Sequence, residues 1–205
     1  MLSKELAYTD TESQIKSAAK IVFLKKGLAG ARMQEIADVA GIGRTALHYY
    51  FRRKEQLFQV VLKDAFRDLA KRTEMLHNSN YTTLEKMEAY VDGYFEKALA
   101  EPELDIFMLN EFNNNPEVMK DILISEASGS PFAILLKGIE TSVANGEMKG
   151  SPKQILITLI SMCVFSFAGR GMIQNVLFLS DEQYMELMKE RKIYMKHFLK
   201  LAFKP

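Results

Sequence analysis

Polar side chains suited to nucleic-acid chemistry cluster in the segment 33–51. Arg44, Thr45, His48 and Tyr49 recur at helical spacing, so a helix there would project them outward. Guanidinium, hydroxyl and imidazole groups form hydrogen bonds with base edges and phosphates, and these four side chains are placed to reach a major groove. The segment therefore predicts double-stranded DNA as a partner.

The elements that must position these side chains read as a helix-turn-helix. A short helix is predicted over 33–40, Gly41 permits a tight turn at low steric cost, and a second short helix is predicted over 44–50. The small side chain of Ala37 lets the two helices approach closely. The residues expected in their shared core are Ile36, Ala37, Ala40, Ile42 and Leu47, and Tyr50 and Phe51 are expected to be core residues on the side facing Leu47.

Helices are predicted along the rest of the chain, so the fold class is all-α. Thr9 and Glu12 have the spacing of a capping box, and Gly27 is a plausible end for the helix that follows. Prolines suit the first turn of a helix, and such starts are expected at Pro102, Pro116, Pro131 and Pro152. The predicted spans are 11–26, 52–76, 82–100, 152–179 and 181–202.

A pattern of apolar, glycine and aromatic residues runs through positions 11–60. It comprises Ile15, Ala18, Ala19, Phe23 and Gly27, then Ile36, Ala37, Ala40, Gly41 and Ile42, then the run Ala46 to Phe51, then Lys54, Glu55 and Leu57. This pattern resembles the TetR family of transcriptional regulators. The resemblance implies an N-terminal three-helix helix-turn-helix domain over 1–53. It also implies a C-terminal helical bundle over 54–205 that binds an effector and dimerises.

The resemblance assigns a role to each polar residue of the second short helix. Arg44 would donate two hydrogen bonds to a guanine edge. Thr45 would contact a base or a phosphate, Tyr49 a phosphate, and His48 either one. Phosphate contacts of this kind position a protein on DNA, whereas base contacts specify the sequence.

Two further DNA contacts are implied outside that helix. Lys54, at the start of the fourth helix, would bind a backbone phosphate. Gln34, near the start of the first short helix, would add a phosphate contact helped by the helix end. Gly43 stands where the family usually has a serine that caps the second short helix.

Methionine and phenylalanine are frequent between residues 62 and 179, and they suit an adaptable apolar pocket. A few polar groups among them would orient a hydrophobic or amphipathic effector, although ordinary core packing remains the alternative for each apolar residue. The residues proposed for the pocket are Phe66, Tyr90, Tyr94, Phe107, Asn110, Phe165 and Arg170.

The last two predicted helices carry wide apolar stripes. Two such helices from each subunit would form a four-helix bundle about a two-fold axis, and the resulting homodimer would read a palindromic operator. The alternative is that the stripes pack on their own subunit. The residues proposed for the interface are Leu156, Ile160, Phe167, Tyr184, Leu187, Met188, Tyr194 and Phe198.

The predicted function is a DNA-binding regulator, a repressor that a small, largely hydrophobic effector releases from DNA. A TetR-type activator and an effector-independent DNA-binding protein remain alternatives. An enzyme is not expected, because the three histidines are scattered, Gly41-x-Gly43 follows no strand, and no local catalytic motif is present. No cofactor or metal is expected either, since Cys163 stands alone and no Cys/His spacing fits a metal site.

Charge and hydropathy are consistent with this function. Residues 1–60 carry a net charge of +4 and the remainder −3, which suits a DNA-binding N-terminal region. The stretch Met1–Asp10 lacks the apolar run of a signal peptide, and 155–167 is too short and interrupted to span a bilayer. A cytoplasmic location is therefore expected, with Cys163 packed and inert rather than redox-active.

Overall fold

The protein is a bundle of α-helices, with no strand in the part of the chain that the structure describes. The computed structural model describes the backbone of residues 2–72, 80–125 and 131–205, and the side chains of 10–65, 80–121 and 132–205. The helices are α1 (Leu2–Gly30), α2 (Met33–Val39), α3 (Arg44–Tyr50), α4 (Lys54–Arg72), α5 (Thr83–Ala100), α6 (Leu104–Asn114), α7 (Pro116–Ser125), α8 (Pro131–Ala144), α9 (Pro152–Ala168), α10 (Arg170–Leu177) and α11 (Asp181–Phe203). The all-α prediction is confirmed.

The chain divides into two compact units. The head unit comprises residues 1–67 and 110–124, and the body unit comprises 68–109 and 125–205. This division describes packing alone. The assignment of 1–53 to DNA binding and 54–205 to effector binding and dimerisation remains a prediction.

Helix α1 differs from its prediction at both ends. It begins at Leu2, so Thr9 lies inside the helix and the predicted capping box is wrong. Gly27 breaks the helix with φ 65° and ψ 179°, yet helical turns resume and continue to Gly30. The buried carboxylate of Glu111 explains the continuation, because its Oε1 accepts the Leu28 amide at 3.3 Å while its Oε2 accepts the Asn115 side-chain amide at 2.6 Å.

The core of the head unit joins α1 to the helices that follow it. The apolar residues of α1 that are buried in this core are Ile15, Ala18, Ala19, Val22 and Phe23. The Phe23 ring meets the Phe58 ring of α4 edge-on, with centroids 4.9 Å apart. Leu57 and Val61 of α4 are also buried, whereas the side chain of Leu69 and the predicted helix end at Leu76 lie outside the described residues.

The core of the body unit is built by α5, α8, α9 and α11. Thr82 caps α5 in a capping box, in which its hydroxyl accepts from the Glu85 amide while its own amide donates to the Glu85 carboxylate. Ser180 caps α11 in the same way with Gln183. The Tyr184 hydroxyl donates to the carbonyl of Ser166 at 2.6 Å and thereby ties α11 to α9.

The predicted single helix over 152–179 is wrong, because the chain bends by 71° between α9 and α10. Gly169 lies at the bend, and a Cβ there would stand 2.7 Å from the Phe165 carbonyl oxygen. Pro116, Pro131 and Pro152 begin helices as predicted, whereas α6 begins two residues after Pro102. Within the described residues no single helix is long and apolar enough to cross a membrane, and α9 with α10 reach that length only as a bent pair.

Candidate nucleic-acid interface

A glycine turn sets the two short helices of the head against each other. Gly41 has φ 65°, a left-handed conformation that glycine adopts without Cβ strain. The Gly41 amide donates to the Asp38 carbonyl at 3.2 Å, and the Ile42 amide donates to the Ala37 carbonyl at 3.0 Å. These bonds satisfy the last carbonyls of α2 and direct the chain into α3.

The scaffold beneath the turn is apolar and closed to water. Four of the five residues predicted for the shared core are buried, namely Ile36, Ala37, Ala40 and Leu47, and Ile42 is partly exposed. Phe51 is buried as predicted, whereas Tyr50 is only partly so. Because Leu47 points inward, the opposite face of α3 must point to solvent.

That opposite face carries the predicted DNA-reading side chains. Arg44, Thr45 and Tyr49 are exposed, and the Tyr49 side chain is 76% accessible. A large aromatic residue left so open on a short helix is available to contact a partner. Gly43 precedes α3 without a side-chain cap, as the sequence indicates.

Two contacts organise the exposed face of α3. The Arg44 Nε donates to His48 Nε2 over a long 3.4 Å, which requires that nitrogen of His48 to be unprotonated. The terminal nitrogens of Arg44 stay available for a bidentate contact with guanine. The Tyr49 ring meets the Tyr50 ring edge-on at 5.5 Å, which limits the directions in which Tyr49 can point.

The other two predicted contacts have partners within the head unit. The Gln34 side-chain amide donates to Asp38 at 2.8 Å. The Lys54 ammonium donates to the carbonyls of Ala31 at 2.9 Å and Ala29 at 3.4 Å. An ammonium has three donors, so Lys54 holds the start of α4 against the connection before α2 and keeps one donor for a phosphate.

Three arginines near the short helices were not predicted as site residues. Arg32 stands immediately before α2, and Arg52 and Arg53 lie between α3 and α4; all three are exposed. Exposed arginines beside α3, the helix predicted to read the major groove, would suit phosphate contacts. Their positions beside the ends of the predicted short helices are the sequence feature that identifies them as candidates.

The body unit holds a polar cluster inside its apolar core, formed by Tyr90 and Tyr94 of α5 and Asp105 of α6. The Tyr94 hydroxyl donates to Asp105 Oδ1. Neither Tyr90 Oη nor Asp105 Oδ2 has a hydrogen-bond partner among the described residues, and both atoms are buried. The sequence predicts Tyr90 and Tyr94 as pocket residues but not Asp105, whose place beside them depends on how α6 packs on α5.

Burial controls the protonation of this cluster. It raises the pKa of Asp105 to about 6, against the opposing effects of the Tyr94 hydrogen bond and the positive charge of Lys97. It also raises the pKa of Tyr90, of Tyr94 and of the Cys163 thiol, so these three groups are neutral at physiological pH. Cys163 is buried, as the sequence predicts.

The remaining predicted pocket residues are dispersed. Phe107 is buried in the body unit, Asn110 is exposed and belongs to the head unit, and Phe165 is 51% exposed. Arg170 forms an ion pair with Asp181 at 2.7 Å, and its guanidinium stands 4.9 Å from the centroid of the Tyr184 ring. The side chain of Phe66 lies outside the described residues.

The residues predicted for the dimer interface fall into two groups. Phe167, Tyr184 and Met188 are buried in the core of their own body unit, so their side chains are not available to a second subunit there. Leu156, Ile160 and Leu187 are partly exposed, and Tyr194 and Phe198 are exposed. The apolar residues exposed on α9 and α11 are Ile157, Phe165, Ile193, Tyr194, Phe198 and Leu201.

Known proteins resemble the head most closely. Residues 15–61 match the family described as bacterial regulatory proteins, tetR family. A relative from Bacillus subtilis, the HTH-type transcriptional regulator YfiR, is 25% identical over 202 residues, covering 92% of this chain and 91% of the relative. The head match coincides with the turn and the exposed face of α3.

Solved structures resemble the whole chain in fold. The regulator SCO4942 of Streptomyces coelicolor has a TM-score of 0.72 at 20% identity, covering 95% of this chain and 99% of its own. The regulator FadR of Bacillus subtilis, solved in complex with stearoyl-CoA, has a TM-score of 0.69 at 17% identity, covering 91% and 96%. Residues 15–61 are thus similar to the tetR family of bacterial regulatory proteins, and the whole chain has the helical fold of these solved regulators.

Proposed function

We propose that the protein is a repressor that binds a palindromic operator as a homodimer and leaves it when a small, largely hydrophobic effector binds the body unit. The observation that carries the DNA-binding part is the arrangement of α3, with Leu47 buried and Arg44, Thr45 and Tyr49 exposed. A rigid scaffold that presents a guanidinium, a hydroxyl and a phenol on one face suits major-groove reading.

Arg44 is the residue to remove first. Arg44→Ala is expected to weaken specific binding about 10- to 100-fold, the value of one bidentate contact with guanine. Lys149→Ala is the matched control, because Lys149 is exposed in the body unit and its loss also removes one positive charge. Mobility-shift titrations on a selected operator measure both variants. Equal loss in the two variants would mean that Arg44 acts through net charge alone.

Dimerisation is proposed to use the exposed apolar face of α9 and α11, defined by Ile157, Phe165, Tyr194, Phe198 and Leu201. Burying such a face against a second copy removes apolar area from water. Leu201→Glu is expected to shift the protein from dimer to monomer in sedimentation velocity. The control is Phe178→Glu, since Phe178 is 92% exposed and lies outside this face. A monomeric wild type would refute this part of the proposal.

Effector release is proposed as a population shift. The two heads of a dimer must keep a fixed spacing to bind one operator. A ligand that binds more tightly to the dimer with a different head spacing lowers operator affinity, at most by the ratio of the ligand's affinities for the two states of the dimer. Helix α4, which begins in the head unit at Lys54 and continues past its boundary at residue 67, is the proposed connection. A ligand with a long apolar part is supported by FadR of Bacillus subtilis, a regulator of similar fold that was solved in complex with stearoyl-CoA.

The sign of regulation is tested by a reporter under the selected operator. Repression that an added effector relieves is expected. A reporter that rises when the protein is supplied would favour the activator, and repression unaffected by every compound that stabilises the protein would favour an effector-independent DNA-binding protein.

A further inference from the structure

The polar cluster of Tyr90, Tyr94 and Asp105 is unusual for the interior of a helical bundle. Most buried polar groups have a hydrogen-bond partner, yet Asp105 Oδ2 and Tyr90 Oη have none among the described residues. Tyr90 is 2% exposed, so bulk water does not serve its hydroxyl. Both oxygens can accept a hydrogen bond, and neither has a partner among the described residues, so each is left for an incoming donor.

The surroundings of the cluster are apolar and aromatic. The Tyr90 ring lies 6.1 Å from that of Phe132, and the Tyr94 ring lies 6.2 Å from that of Phe167, measured between centroids. Such rings accommodate an alkyl or aromatic group and attract a cation to their faces. A buried carboxylate in this setting gains from a positive partner, since a charge is costly to bury without one.

Lys97 and Arg170, two described cations of the body unit, leave that place open. Lys97 of α5 attracts Asp105, but its ammonium stands 3.8 Å from Glu101 at the end of the same helix. Arg170 of α10 is engaged by Asp181. Neither cation has a hydrogen bond to Asp105 Oδ2, which is unpaired in the described part of the chain.

We propose that the effector is an amphipathic amine, whose protonated nitrogen donates to Asp105 Oδ2 and Tyr90 Oη while its apolar part packs among the aromatic rings of the body unit. This inference rests on the effector-binding function proposed above and names the chemical class of the effector. An ammonium supplies both the N–H donors and the charge that the cluster lacks. A carboxylate ligand would instead meet the charge of Asp105 and be repelled.

The test compares three probes that share one chain and differ in the head group: decylammonium, decanol and decanoate, each below its micelle concentration. Isothermal titration of the full protein is expected to give the tightest binding for decylammonium. Asp105→Asn should weaken decylammonium binding at least tenfold and leave decanol within twofold. Tyr90→Phe should weaken decylammonium less, since it removes one acceptor. Asp92→Asn is the matched control, because Asp92 of α5 is an aspartate of the body unit that pairs with Lys196 of α11 at 2.8 Å instead of belonging to the polar cluster.

Three results would overturn the inference. Decanoate could bind the wild type as tightly as decylammonium, or Asp105→Asn could leave decylammonium binding unchanged. Equal weakening of decylammonium and decanol by Asp105→Asn would mean that Asp105 only maintains the fold. If decanol or decanoate binds and releases operator DNA while decylammonium does neither, effector release stands and the amine fails. If every stabilising compound leaves operator binding intact, the proposed function itself fails.

Discussion

Replacing Asp105 with asparagine is predicted to change how the stability of the protein depends on pH. Burial raises the pKa of this carboxyl from 3.8 to about 6, so the folded protein holds the proton more tightly than the unfolded chain. The stability that this provides is complete below pH 3.8 and is lost as the pH rises to about 6. Asparagine does not titrate, so Asp105→Asn removes this loss.

The size of the effect follows from the shift. A change of about two pKa units corresponds to roughly 3 kcal/mol of unfolding free energy between acid and neutral pH. About 2 kcal/mol of this falls between pH 4.5 and 7.5, because the unfolded carboxyl is already largely ionised at pH 4.5 whereas the folded one ionises within this range. Tyr90 and Tyr94 on α5, Cys163 on α9 and Tyr184 on α11 face the same region, and burial raises the pKa of each, so none ionises in this window.

Urea unfolding of both proteins at pH 4.5 and pH 7.5 measures the effect. The stability difference between Asp105→Asn and wild type should move in favour of the variant by about 2 kcal/mol at the higher pH. Any cost of burying the asparagine amide is the same at both pH values and cancels. Asp181→Asn is the control, because hydrogen bonds from Gln174 and Arg170 lower the pKa of Asp181, so this carboxyl is ionised at both pH values and its stability difference should not move. A pH-independent difference for Asp105→Asn would refute the burial of an ionisable carboxyl.

The other predictions concern local structure. Gly41→Ala should cost about 1 kcal/mol from backbone strain alone, because its φ is 65° and an added Cβ meets nothing within 4 Å; Gly43→Ala, equally open but at φ −69°, should be neutral in the same urea titrations. Thr82→Ala should lose about 1 kcal/mol with the cap of α5, whereas Ser151→Ala should lose none, since Ser151 makes no side-chain cap to α9. Phe58→Ala should cost about 3–5 kcal/mol because the ring is fully buried, and a smaller loss in thermal unfolding would mean that the cavity collapses.

Local patterns predict the head well, because its contacts are close in sequence. The spacing of Ile36, Ala37 and Leu47 predicts which faces of α2 and α3 are buried, and Gly41 predicts the turn between them. The exposure of Arg44 and Tyr49 follows, because a helix that buries one face presents the other. The structure confirms each of these features.

The features that sequence reasoning missed depend on how the helices pack, which local patterns do not specify. The continuation of α1 beyond Gly27 relies on Glu111, 84 positions away, which satisfies an amide that would otherwise end the helix. The polar cluster forms because Asp105 of α6 lies beside Tyr94 of α5, and the spacing of apolar residues along the sequence does not predict this contact. The apolar stripe predicted for α11 combines residues from two faces of the helix. Tyr184 is buried and Tyr194 is exposed, although both fit the same apolar pattern.

The most direct test of the central claim is selection of bound sequences from a pool of random duplex DNA at two salt concentrations, with wild type and Arg44→Ala in parallel. The wild type should recover a palindrome with half-sites one helical turn or a multiple apart, bound more weakly at high salt as phosphate contacts require. Arg44→Ala should lose preference at one base pair in each half-site. Sequence-independent binding by the wild type, or an identical palindrome from both proteins, would contradict the assignment of α3 as the reading helix.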